Sequence, residues 1–249
     1  MRAWLVSQWL YGGGSLNWTR GMMMAFARKH IRFAAMTDEK LDWALREWSA
    51  VCAALICGAA IGIARKGGIH EPHGALFPLP GASMAGSGGQ HLPHRFALLA
   101  SHFHQQHERL ADWWGEDWVQ QDQHHDQTTL HFPGWAEVAG CWIVDDPQVL
   151  SQLSRLEGGI PLSPKELRDR YHYRQRPWLA VLSLRVWRWQ TPYRLANSAM
   201  YGGCRSWISL QASLSCANAL PALDDQQWRH RHAQIAAMLS PFPCVLHES

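Results

Sequence analysis

The chain has no apolar stretch long enough to cross a bilayer. Its longest run, Val51 to Ala64, contains Gly58 and Gly62 and stops at Arg65-Lys66, short of the ~20 residues a spanning helix needs. A soluble, cytoplasmic protein with no membrane partner is the expectation. Cysteine is also scarce, with six in 249 residues. Most lie inside apolar segments, which fits buried thiols in a reducing compartment better than a disulfide framework. Cys52 and Cys57 are five apart with no second close pair, so they do not complete a zinc site. No full phosphate-loop spacing and no internal repeat occurs. Residues 1–35 lack acids altogether while carrying Arg2, Arg20, Arg28, Lys29 and Arg32; they also lack the continuous apolar core and cleavage site of a secretory signal.

That basic arm accounts for the formal net charge of +3, because residues 36–249 hold 18 bases against 20 acids. A global argument from basicity therefore fails, yet charge is segregated. Residues 108–146 carry nine acids against Arg109, and residues 155–205 carry ten bases against three acids. Such blocks either pair with each other in the fold or leave the basic one facing a phosphate backbone, with Arg174, Arg176, Arg185, Arg188 and Arg205 the candidates.

At 47% hydrophobic residues, the chain can bury a full core. The shift in charge and periodicity near Met36 divides it into an N-terminal arm over 1–35 and a single domain over 36–249. Thr37 reads as the N-cap of a helix carrying Leu41, Leu45, Trp48, Cys52 and Leu55 at helical spacing. Strands are expected over 59–64, 95–100, 137–144 and 178–189, with 207–214 pairing with the last of these. The Pro/Gly/Ser-rich stretch 78–90 reads as a long loop. Asp146 before Pro147 starts a helix that Gly158-Gly159 ends, Ser163-Pro164-Lys165-Glu166 is a capping box, and Asp225 caps a last helix ending before Pro241. The pattern predicts an α+β domain, a mixed or antiparallel sheet with flanking helices.

Two stretches concentrate chemistry. In Arg65-Lys66-Gly67-Gly68-Ile69-His70-Glu71, glycines let backbone N–H groups approach an anion and the cations supply charge, so Arg65, Lys66, Gly67 and Gly68 are candidate phosphate contacts. Lys66 with Glu71 after a strand also has the ingredients of a metal-assisted hydrolase or nuclease, the alternative reading. The plain reading is a charged turn after a buried strand. In Tyr201-Gly202-Gly203-Cys204-Arg205-Ser206-Trp207, Gly202, Gly203 and Arg205 offer a second anion cradle, while Trp207 or Tyr201 offers a ring for stacking. Arg205 would favour a Cys204 thiolate, although a lone cysteine is more often packing. Eight of 15 histidines lie between His91 and His131, and His102 with His104 on one strand face would suit a divalent metal. Exposed histidines without that role are the simpler account. Two cationic turns would repel each other, so their convergence around one anion is a further expectation.

The blocks Leu45-Arg46-Glu47-Trp48, Arg65-Lys66-Gly67-Gly68-Ile69, Phe103-His104-Gln105, Tyr173-Arg174-Gln175-Arg176-Pro177-Trp178, Leu182-Ser183-Leu184-Arg185-Val186-Trp187 and 201–210 give the chain a resemblance to a bacterial family designated DUF1802. The resemblance runs over roughly residues 40–210. One departure is Leu98-Leu99-Ala100-Ser101-His102, where the family tends to place Leu-Tyr-Pro-Thr before the histidine. The resemblance implies no activity. From the residues themselves, a nucleic-acid or phosphate-ligand binding domain is the leading expectation, ahead of the metal-assisted hydrolase and a structural or interaction protein.

Overall fold

The computed structural model describes residues 39–66, 94–119, 128–175, 177–202 and 205–244. In chain order they form β1 (Lys40–Trp48), α1 (Ser49–Ile56), β2 (Gly62–Arg65), β3 (Arg95–Ser101), α2 (Asp112–Val119), β4 (Thr129–Val144), α3 (Pro147–Arg155), α4 (Pro164–His172), β5 (Leu179–Ala196), β6 (Trp207–Ser215), β7 (Ala219–Pro221) and α5 (Asp225–Leu239). Among these residues seven strands make one sheet in the order β2-β5-β4-β3-β1-β6, with β7 pairing to β5 beside β2. The β1–β3 pair is parallel and every other pair is antiparallel. The architecture is the expected α+β fold with a mixed sheet.

Both faces of the sheet are buried. One carries Leu45, Ile63, Phe96, Val138, Leu182 and Leu184 under α1, α3, α4 and α5. The other carries Ala44, Leu99, Phe132, Trp135, Trp189, Tyr201 and Leu210. A strand buried on both faces loses its apolar–polar alternation, and this explains the first correction. Residues 40–48 are a strand, and the helix begins only at Ser49. Leu41 and Leu45 fit a helical spacing with Trp48, Cys52 and Leu55 although the strand buries Leu41 in one core and Leu45 in the other. Parallel pairing with β3, Ala44 opposite Ala97 through Trp48 opposite Ser101, outweighs the helical propensity of this stretch.

The long hairpin β4–β5 is the backbone of the sheet. Each strand extends beyond the sequence expectation because bulges absorb the residues that read as breakers. The register shifts between Phe132 and Gly134 and again between Val138 and Gly140, so Pro133 sits where no ladder hydrogen bond is required of it. Gly134 has a second reason to be glycine. A Cβ there would lie 2.2 Å from the Trp187 carbonyl oxygen and 2.4 Å from Ile56 Cδ1, so the end of α1 presses directly on strand backbone.

Two further expectations are corrected. Strand β6 pairs with β1, not with β5, and its register jumps from Leu41–Leu214 to Trp43–Ser209, so that exposed Gln211, Ala212 and Ser213 bulge out of the sheet. The cap of α5 is Asp224, whose carboxylate accepts from the Gln227 N–H at 2.8 Å, while Asp225 sits in the first turn. Asp146 caps α3 as expected, accepting from the Gln148 N–H at 2.7 Å, and Gly158 takes φ +87° beyond its end. The stretch 78–90 lies outside the described residues.

Candidate functional site

The site is built where β1 runs into α1. Strand alternation sends Glu47 to the helix-covered face with Leu45, and Arg46 to the opposite face with Ala44. Glu47 is 4% exposed. Burial pushes its carboxyl up; the nearby guanidinium groups of Arg65 and Arg170, with the Trp48 N–H, outweigh this and hold it below its ordinary value. Arg65 Nη1 donates to Glu47 Oε2 at 2.5 Å, Arg170 stands 3.8 Å from Oε1, and the Trp48 N–H donates to Oε1 at 2.9 Å. That Arg65 reaches β1 from β2, at the far end of the strand order, means the sheet curls strongly over its helix-covered face.

The network continues outward along α4. Arg170 donates to Glu166 Oε1 at 2.7 Å and to the Ala64 carbonyl at 3.1 Å, and lies over the Trp48 ring at 5.0 Å. Arg109 donates to Glu166 Oε2 at 3.0 Å and pairs with Asp169. These contacts explain why the capping box of α4 forms by half. Ser163 Oγ accepts from the Glu166 N–H at 3.2 Å. The reciprocal bond is absent because the Ser163 N–H donates to the Arg109 carbonyl at 2.8 Å and two guanidinium groups hold the Glu166 carboxylate.

Lys66 is anchored at the same junction. Its ammonium donates to the Tyr171 carbonyl at 2.6 Å and the Trp178 carbonyl at 2.8 Å, and lies 5.8 Å and 5.3 Å from those two ring centroids. An ammonium tied to two backbone carbonyls is held in place by the fold, which suits a structural cation better than a general base. Gly67, Gly68 and Glu71 lie outside the described residues, as do Gly203, Cys204 and Arg176.

The 201–207 turn approaches from the other face. The Arg46 guanidinium donates to the Tyr201 carbonyl, and the Arg46 N–H donates to the Ser206 carbonyl at 2.8 Å. Arg65 Nη1 also donates to the Arg46 carbonyl at 3.2 Å. Arg46 therefore touches both candidate stretches, Arg65 through its backbone and Tyr201 through its side chain. Gly202 and Arg205 are exposed. Trp207 is buried, opposite Leu45 in the ladder and edge-on to Phe96 at 5.0 Å, so its indole belongs to the core and offers no face for a ligand.

A third segment closes the rim. Just past β3, Gln105 Oε1 accepts from the Ala50 N–H at 2.9 Å, supplying the first turn of α1 with the cap that Trp48 cannot give. In the same turn His104 adopts φ 60° and its ring lies 4.0 Å from that of Phe103. His102 is half-buried near His131, whose pKa is lowered by burial, by Arg194 and by His102 itself. Among the described residues no three His, Cys, Asp or Glu side chains gather closely enough to hold a metal. The hydrolase reading finds no further support in these residues.

Buried Cys52, Cys141 and Cys216 are free thiols. Burial pushes Cys141 up to about 12 and Cys216 up to about 11, which leaves both chemically quiet near neutrality. The basic block does not find its ion partners simply in the acidic one. Arg170 pairs with Glu47 and Glu166, and Arg185 with Asp225, while Arg188 and Arg194 are exposed on β5.

An α+β domain with a charged junction at the end of its parallel strand pair is thus the class the structure defines. The chain matches the family described as Domain of unknown function (DUF1802) over residues 44–234 and belongs to it. No curated protein matches it in sequence. The crystal structure of a mutant ZmASCH protein from Zymomonas mobilis is similar at 12% identity and a TM-score of 0.37, covering 77% of this chain and 96% of that chain. No helix among the described residues is long and apolar enough to cross a membrane. Of the sequence blocks that carry the family resemblance, five supply residues to this one junction. Arg46 and Glu47 come from the first, Arg65 and Lys66 from the second, Gln105 from the third, Trp178 from the fourth, and Tyr201 with Ser206 from the last.

Proposed function

We propose that this chain binds a phosphate-bearing ligand, nucleic acid foremost, at the rim around Arg46. One observation carries the reading. The junction joins five cations, Arg46, Arg65, Lys66, Arg109 and Arg170, to three described carboxylates, Glu47, Glu166 and Asp169, and exposed Arg205 stands in the adjoining turn. A partly buried network in which the described cations outnumber the described carboxylates favours an anion at its mouth, where low dielectric strengthens the attraction. Glu47, Arg65 and Arg170 set the shape, Lys66 ties the strand end to α4 and β5, and Arg205 meets the phosphate.

Binding of a fluorescent oligonucleotide, followed by anisotropy between 50 and 200 mM salt, tests this. Wild type should lose affinity steeply with salt, and Arg205→Ala should weaken binding and flatten the slope of log K against log salt by about one. A wild-type protein that binds neither oligonucleotide nor polyphosphate at low salt removes the proposal.

A further inference from the structure

Phe103 and Met200 are each 64% exposed and Tyr173 is 47% exposed. These are three of the four large apolar side chains that stand out among the described residues, and the fourth, Leu220, is on β7. Scattered exposed apolar side chains are ordinary. These three are not scattered. Phe103 lies between Ser101, the ladder partner of Trp48, and Gln105, which caps α1. Tyr173 is two residues beyond Tyr171, whose carbonyl accepts from Lys66. Met200 adjoins Tyr201, whose carbonyl accepts from Arg46. Two residues of extended chain span at most about 7 Å, so Phe103 and Tyr173 each lie within that reach of a residue bonded at the junction, and Met200 adjoins one that meets Arg46 on the opposite face.

We infer, resting on the binding site proposed above, that its ligand is single-stranded nucleic acid whose unpaired bases stack on Phe103 and Tyr173. A free phosphate has no use for an exposed ring. A duplex already stacks its bases on one another and presents phosphates and groove edges. An unpaired strand offers a run of phosphates and several accessible base faces together, and aromatic platforms beside a cationic track are the arrangement such strands use. The Phe103 ring meets His104 at 4.0 Å with the two planes tilted by 59°, and 64% of the residue stays open to solvent and to a base. Met200 supplies an adaptable apolar edge.

The test compares the full-length protein and its Phe103→Ala, Tyr173→Ala and Arg205→Ala variants against four probes. These are a single-stranded RNA and a single-stranded DNA of one sequence, the matching DNA duplex, and inorganic polyphosphate. Either single strand should bind more tightly than the duplex. Each aromatic substitution should weaken single-strand binding about 5- to 100-fold while leaving polyphosphate binding and the melting temperature unchanged. Arg205→Ala should weaken all probes. If the duplex binds as well as the strands, or the aromatic variants bind the strands like wild type while Arg205→Ala still loses affinity, the stacking inference is wrong and the phosphate site stands. If the strands bind but neither aromatic nor Arg205 substitution matters, both are wrong.

Discussion

Glu47 is a buried carboxylate whose neighbours decide whether it stabilises or destabilises the fold. Removing one partner of a buried ion pair leaves the other charges stranded, at a cost of about 3–5 kcal/mol. Glu47→Gln should therefore lower stability by that order in urea denaturation at neutral pH. The pH dependence follows from the direction of its shift. Its folded-state value is held below the ordinary 4.5, so its contribution is fully present above that pH and fades as pH falls through the lower folded value. The gap between wild type and Glu47→Gln should thus narrow from pH 7 to pH 3. A gap of equal size at both pH values would show that the charge on Glu47 is not what the arginines hold. Arg65 and Lys66 were legible in the sequence as cations at a strand end. Arg46 and Glu47 were not, because a helical reading of 37–55 places them on a solvated face. The signal available was Glu47 itself, an acid between apolar Leu45 and Trp48.

At the level of elements, two helix starts read from local backbone chemistry held. Asp146-Pro147 and Ser163-Pro164 each combine a capping side chain with a residue pre-set for the first helical turn, and both start helices in the structure. The readings that failed depended on distant partners. Strand β1 is made by β3 and β6, and the full length of β4 is made by β5; nothing local distinguishes Pro133-Gly134 at a bulge from a turn. The half-formed capping box gives a measurable distinction. Ser163→Ala removes the oxygen that accepts from Glu166 N–H and should cost about 1 kcal/mol, the usual worth of an N-cap. The Ser163 N–H bond to Arg109 survives that change, so oligonucleotide binding should match wild type. A loss of 3 kcal/mol or more, or weakened binding, would mean that the cap and the Arg109–Glu166 pair act as one unit.

For the whole molecule, the question is whether affinity for an anion comes from overall charge or from the rim. Removing residues 1–35 takes away five bases and no acids and leaves 18 bases against 20 acids, a formal net charge of −2. The family match begins at residue 44, and the described contacts of the Arg46–Glu47 junction lie beyond residue 36. We therefore expect a chain starting at Met36 to remain soluble and to melt within a few degrees of the full chain. It should bind single-stranded oligonucleotide at low salt with affinity reduced no more than severalfold. The reduction would come from association, since long-range steering follows the summed field whereas dissociation follows the contacts in place. Arg205→Ala placed in this shortened chain should then remove most of the remaining affinity. If instead the shortened chain folds but no longer binds, the five N-terminal bases carry the attraction. The rim around Arg46 would then be an ion network that only holds the curled sheet together.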